Sequence, residues 1–202
     1  MKWKPSPVKF NFCNEVKQAI SKLMACICPW LITSSTNIAM AQNPAEEEQL
    51  IKAAFIYNFA KFTRWPDNTW EKQDAPLNLC ITGDDKLANE LKHLQDRTIQ
   101  GHSLSIQSLH HTVSVKSCHL LYIATSENKH YRKTLKTLHK KPILTVSELP
   151  HFARSGGIIE LIKENDRTRF IINMNAAHEA NIELSSRLLK LAIVIDDQEG
   201  AP

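Results

Sequence analysis

The chain has 202 residues, with 25 Lys and Arg against 21 Asp and Glu, a formal charge of +4. The excess sits in the leader, where Lys2, Lys4, Lys9, Lys17 and Lys22 face Glu15 alone; without them 20 basic side chains meet 20 acidic ones. The basic balance of the whole chain therefore gives no argument for nucleic acid, and no nucleic-acid partner is expected.

The basic start is followed by about ten apolar residues, Leu23 to Ile32, and then by Ala39-Met40-Ala41, a small-x-small cleavage site. The order is that of a secretory signal over residues 1–41, with the mature start near Gln42 and a destination outside the cytoplasm. The apolar segment is too short to span a bilayer, although an uncleaved anchor is the alternative. Leu23-Met24-Ala25-Cys26 is like a lipoprotein box, but the residues before it are too polar to serve as its hydrophobic segment. Residues 42–202 then form one domain with room for a full core, undivided by repeats or a Gly/Ser linker.

In IKAAFIYNFAKFTRWPD, Ile51 to Asp67, Ile51, Ala54, Phe55, Phe59 and Phe62 recur at helical spacing. With Asn43 as cap, Pro44 in the first turn, Glu46 behind it and Pro66 as terminator, the spacing predicts a core helix over Pro44 to Arg64. Its aromatic content exceeds what one buried stripe needs, so part of its girth is expected to face a second layer or a partner.

From Leu77 the pattern alternates. Leu77–Gly83 reads as a buried strand, Asp84-Asp85 as a cap, and Lys86–Gln95 as a helix with Leu87, Leu91 and Leu94 on one side. Strands follow at His102–Leu109, His119–Ala124 and Lys141–Val146, with a helix at Asn128–Leu138 and a helical turn at Ser147–Pro150. Gly157–Asn165 and Arg167–Met174 flank Asn165-Asp166, which is hairpin chemistry. The expected fold is α/β: a mostly parallel sheet with an antiparallel hairpin edge and helices on both faces. Beyond Asn175 a short helix, a break at Asn181 and a second helix over Glu183–Ala192 are expected. That last helix is apolar on more than one side, for burial against the sheet or for a protein contact.

Catalytic constellations are absent: there is no G-x-S-x-G, no Walker loop and no H-E-x-x-H. Nine histidines raise the possibility of a metal, but His102, His110, His111 and His119 show no helical i, i+4 pair, and adjacent His110-His111 in extended chain point to opposite faces. No metal or cofactor is expected. Gly156-Gly157 opens a strand, so it reads as a turn and not as a phosphate cradle. Asp84 and Asp85, with Thr125 and Ser126, end two strands where open α/β sheets bind ligands, although capping already accounts for the aspartates. Of five cysteines, three fall in the leader; Cys80 and Cys118 either form one disulfide or stay as two buried thiols.

Four blocks resemble the YfiR family of periplasmic proteins: KAAFIYNFAKFTRWP at Lys52–Pro66, LNLCITGDDKLANEL at Leu77–Leu91, CHLLYIA at Cys118–Ala124 with PILTVSELPHFARSGGIIELI behind it, and FIINMNAAHEANIELSSRLLKLA at Phe170–Ala192. The resemblance implies a non-catalytic homodimer that holds an inner-membrane diguanylate cyclase, YfiN, inactive by binding its periplasmic sensor part. It implies an outer-membrane lipoprotein, YfiB, that sequesters the repressor, and a disulfide between Cys80 and Cys118. The positions of a second family disulfide are Ala153 and Glu160 here, so that bridge is absent and a different partner becomes more plausible.

A repressor of this kind needs an apolar patch that two partners compete for. The expected partner-binding residues are Leu188, Leu189, Ile193 and Val194, with Arg187 at the rim. The competing class is a periplasmic sensor binding a small molecule at Asp84, Asp85, Thr125 and Ser126.

Overall fold

The computed structural model describes residues 44–70, 72, 74–109 and 115–196. The leader, the Asn43 cap and His110-His111 lie outside the described residues. In chain order the elements are α1 (Pro44–Lys61), β1 (Thr63–Arg64), β2 (Leu77–Thr82), α2 (Lys86–Lys92), β3 (Thr98–Ile99), β4 (His102–Leu109) and β5 (Leu120–Ile123). They continue with α3 (Tyr131–Leu138), β6 (Leu144–Ser147), β7 (Ile159–Glu164), β8 (Arg167–Asn173), α4 (Met174–Glu179), β9 (Glu183–Leu184), α5 (Ser186–Leu189) and β10 (Ile193–Ile195).

The main sheet runs β10-β8-β7-β6-β5-β2-β4-β3. Every contact from β4 to β7 is parallel, while β3/β4 and β7/β8 are antiparallel. The mostly parallel α/β fold expected from the alternation is therefore present. Asn165 and Asp166 both take positive φ, 50° and 57°, and these left-handed residues turn β7 into β8. β10 then adds to the outer side of β8 in parallel, with Val194 opposite Ile172.

Side chains on the central strands alternate between two apolar layers. Leu79, Ile81, Leu120, Tyr122, Leu144 and Val146 enter the larger core, shared with α1 and α2. Cys80, Leu121 and Ile123 enter a smaller one under α3, where Tyr131, Leu135 and Leu138 are buried. Helices thus cover both faces.

The buried stripe of α1 differs from the expected one. It is Lys52, Ala53, Ile56, Phe59 and Ala60, whereas Ile51 is 44% exposed and Phe55 and Phe62 are half-buried. The reason is ionic: Lys52 Nζ reaches Glu148 at 2.7 Å beyond β6 and Glu48 at 2.7 Å on its own helix, which turns the helix by about one residue. The helix ends at Lys61 instead of Arg64, because the Thr63 hydroxyl donates to the Phe59 carbonyl and β1 pairs with β9. Burial opposes the Lys52 charge, but its two carboxylate partners outweigh burial and hold the ammonium above its ordinary range. That contribution is complete below the ordinary lysine pKa and is lost as pH rises through the raised one. Lys52→Ala leaves Glu148 facing the core without a cation and is expected to cost about 2–3 kcal/mol in urea unfolding at pH 7. An unchanged midpoint would show that the pair does not anchor α1.

Three further differences are local. Asn128–His130 do not belong to α3, which opens at Tyr131, since Thr125–Glu127 forms a 3-10 turn ahead of them. The segment after β6 is a turn followed by a 3-10 helix at Ala153–Ser155, not a helix at Ser147–Pro150. The break at Asn181 is present, with φ 54°, but the second helix over Glu183–Ala192 is not. Leu184 pairs with Thr63, Ser185 caps the single turn of α5, and the β-branched run Ile193–Ile195 joins the open side of β8.

Candidate protein-interaction surface

The C-terminal segment divides the expected contact residues by depth. Leu188 is 3% exposed and packs in the larger core, so it is a core residue that no partner can reach. Leu189 is half-buried against the same core, and Ile193 is half-buried on β10. Arg187 on α5 is exposed, and Val194 is 44% exposed. Leu191, which was not singled out from the sequence, is the most exposed large hydrophobic among the described residues at 68%. Beside it runs the edge of β10, which among the described residues is hydrogen-bonded to β8 on one side only. The surface therefore combines two outward apolar side chains, a cation and an open strand edge, the parts from which β-augmented contacts are made. Leu50 and Ile51 at the start of α1 are also exposed.

The strand-end cluster is assembled as expected, but its groups bond one another. Asp85 Oδ1 caps α2 at Ala88 N (2.8 Å), and Oδ2 accepts from the Tyr122 hydroxyl (2.8 Å) and from Thr125 N (3.1 Å). Asp84 N donates to Ser126 Oγ at 3.0 Å. Gly83, at φ +79°, lets the two loops meet, since a Cβ there would lie 2.4 Å from Ser126 Oγ. Burial first, and Asp85 beside it, push the Tyr122 hydroxyl far above the ordinary tyrosine range, so it stays a donor. A shallow cleft of about 470 Å³ remains beside Asp84 and Ser126.

At the opposite end of the sheet, Trp70 is stacked between His102 (centroids 3.8 Å apart, planes 5°) and His119 (4.5 Å, 23°), with Trp65 set edge-on. Asn78 N donates to His119 Nδ1 at 2.9 Å, and Trp65 Nε1 donates to the His119 carbonyl at 3.0 Å. His102 Nδ1 lies 2.7 Å from the Ala75 carbonyl. Sequence reasoning considered both histidines as metal ligands and missed the aromatic stack. The signal was their position: both stand where parallel neighbours of β2 begin. Burial foremost, with His102 adding to it and a bond to the Thr69 backbone opposing, holds His119 below the usual histidine range. The unfolded chain therefore binds this proton first. Stability is complete above about pH 6.5 and falls as pH drops below it. A melting temperature that declines between pH 7 and 5, and declines less in His119→Asn, is the expected result; parallel slopes would assign the effect elsewhere.

Asn78 also ties the neighbouring cysteine. Its Nδ2 donates to the Ser117 carbonyl at 2.8 Å and its backbone is bonded to His119, which places Cys118 beside Cys80 at a Cα separation of 5.8 Å. The two are joined as a disulfide, which fits an oxidising compartment. No helix among the described residues is long and apolar enough to cross a membrane.

The model of YfiR/HmsC-like domains matches residues 49–193. The chain belongs to the YfiR/HmsC-like family. No curated protein matches it. The match runs from α1 to the first residue of β10, so it includes the disulfide, the aromatic stack and Leu191 of the C-terminal surface, while Val194 lies one residue beyond it. Membership agrees with a regulatory role in c-di-GMP signalling and with the resemblance carried by the four sequence blocks.

Proposed function

We propose that this YfiR/HmsC-like protein is a periplasmic regulator that binds the periplasmic sensor part of an inner-membrane diguanylate cyclase of the YfiN type and holds it inactive. The observation that carries the reading is the apolar exposure beside the open strand edge at the C-terminal end, Leu191 at 68% and Val194 at 44%; among the described residues the other exposed large hydrophobics are Leu50 and Ile51 on α1. Exposed apolar surface next to an open strand edge has a cost in water that association removes. A lipoprotein of the YfiB type would compete for the same surface, and a homodimer would present it twice. Because nothing in the reading requires chemistry, the protein acts as a non-enzyme.

The small-molecule alternative at Asp84, Asp85, Thr125 and Ser126 is weakened, since the Asp85 carboxylate is already taken by Ala88, Tyr122 and Thr125 and the Ser126 hydroxyl accepts from Asp84 N. The test is capture from solubilised inner membranes by the protein purified after export. Enrichment of a membrane protein with a periplasmic sensor and a cytoplasmic cyclase output is expected. Recovery of no such protein from cells that express the chain would overturn the reading.

A further inference from the structure

The stretch Asn128–Lys141 carries Lys129, Arg132, Lys133, Lys136, Lys140 and Lys141 without a single acid. In a domain of balanced charge this is a local excess, and α3 sorts it by burying Tyr131, Leu135 and Leu138 while its cations face outward. Where α3 and α4 close on the N-terminal ends of β6 and β7 there is a groove of about 560 Å³, a volume suited to a small ligand. Its floor is apolar, from Leu135, Leu138, Ile143 and Ile158, and its walls carry Arg132, Lys136, Lys140 and Lys141.

The polar groups of the groove are nearly all donors. Among the described residues the ion pairs leave Lys136, Lys140 and Lys141 unmatched, and the one acid of the lining, Glu179, is engaged by His139 at 3.3 Å. Arg132 Nε donates to the Tyr131 hydroxyl at 3.1 Å, which lies 3.3 Å from Ser155 Oγ; two hydroxyls share one bond, so one hydroxyl hydrogen is left over. At the floor, Thr145 is 3% exposed and its Oγ1 accepts from Ile158 N at 2.9 Å, while its own hydrogen finds no acceptor among the described residues. Buried and half-buried donors without acceptors call for an acceptor-rich group.

We infer that this groove binds a small organic anion, a carboxylate or phosphate carried on an apolar body. The anion is met by Lys136, Lys140, Lys141 and Arg132 and by the Thr145 and Ser155 hydroxyls, and the apolar body lies on Leu135, Leu138 and Ile158. The site shares no residue with the Leu191–Val194 surface, and it stands or falls independently of partner binding. A purely inorganic anion would leave the apolar floor unused, and a neutral aromatic would leave the donors unmet.

Calorimetric titration and thermal melts of the exported protein, with phenyl phosphate, benzoate, inorganic phosphate and phenol as probes, test the inference. Phenyl phosphate or benzoate is expected to bind and raise Tm, inorganic phosphate to bind about tenfold or more weakly, and phenol not to bind. Lys136→Glu combined with Lys140→Glu, both at exposed positions, is expected to weaken binding by about tenfold or more with the unliganded Tm unchanged. Three results would overturn the inference: no binding of either organic anion, equal binding of inorganic phosphate, or unaltered binding in the charge-reversed variant. Binding of an acidic peptide without binding of either organic anion would likewise reject it, in favour of a protein segment.

Discussion

Replacing Cys80 and Cys118 together by alanine is expected to lower the unfolding free energy by about 4 kcal/mol, read as a fall of roughly 10 °C in Tm. The bond closes a loop with a sequence separation of 38, and the chain-entropy account gives that size for such a loop. Both sulfurs lie in the layer under α3, with Cys80 0% and Cys118 4% exposed, so reductant reaches them poorly in the folded state. Alanine is preferred to serine, because a hydroxyl at these depths would add the cost of a buried polar group. The same loss should appear in the native protein unfolded in the presence of reductant, and not in the variant treated likewise. A double variant within about 1 kcal/mol of the native protein would mean that the Asn78 bonds to Ser117 and His119 already hold the two strands together without the covalent link.

The second large effect concerns association. Leu191→Asp with Val194→Asp is expected to weaken capture of the membrane partner by about 30-fold or more, the scale of losing an interface anchor, while Tm changes little. Two carboxylates on an apolar contact must be desolvated to bind, and neither replaced side chain contributes to the buried core. Leu188→Asp is the contrasting case. It buries a charge in the larger core and should unfold the domain, so lost binding there says nothing about contact. Unchanged affinity in a folded Leu191→Asp, Val194→Asp protein, measured by biolayer interferometry on the purified partner, would remove the C-terminal edge as the contact surface.

Much of the architecture could be read from residues alone. The runs LNLCIT and LLYI are mostly apolar strands because both of their faces are covered, and the hairpin follows from Asn165-Asp166, two residues that tolerate positive φ. Asp85 capping α2 was legible in the same way, since the cap depends on a side chain and a backbone three residues away. The phase of α1 was not. Hydropathy places lysine outside, whereas Lys52 is buried against Glu148, a partner 96 residues distant. The strand-end cluster was legible as a position but not as a state, because whether its donors are spent depends on how closely two loops approach at Gly83.

The C-terminal segment separates the two kinds of information most clearly. LLKLAIVI satisfies helical spacing locally, yet β8 has an open side, and pairing backbone groups along it outweighs extending a helix that stops after the single turn Ser186–Leu189. Local pattern and short-range chemistry thus determined the central strands, the hairpin and the cap. Tertiary structure alone decided which side of α1 is buried, that Cys80 meets Cys118, that Trp70 enters between two histidines, and that Leu191 and Val194 remain outside. Each of those outcomes depends on where a second, sequence-distant surface lies, and periodicity along one segment carries no record of that distance.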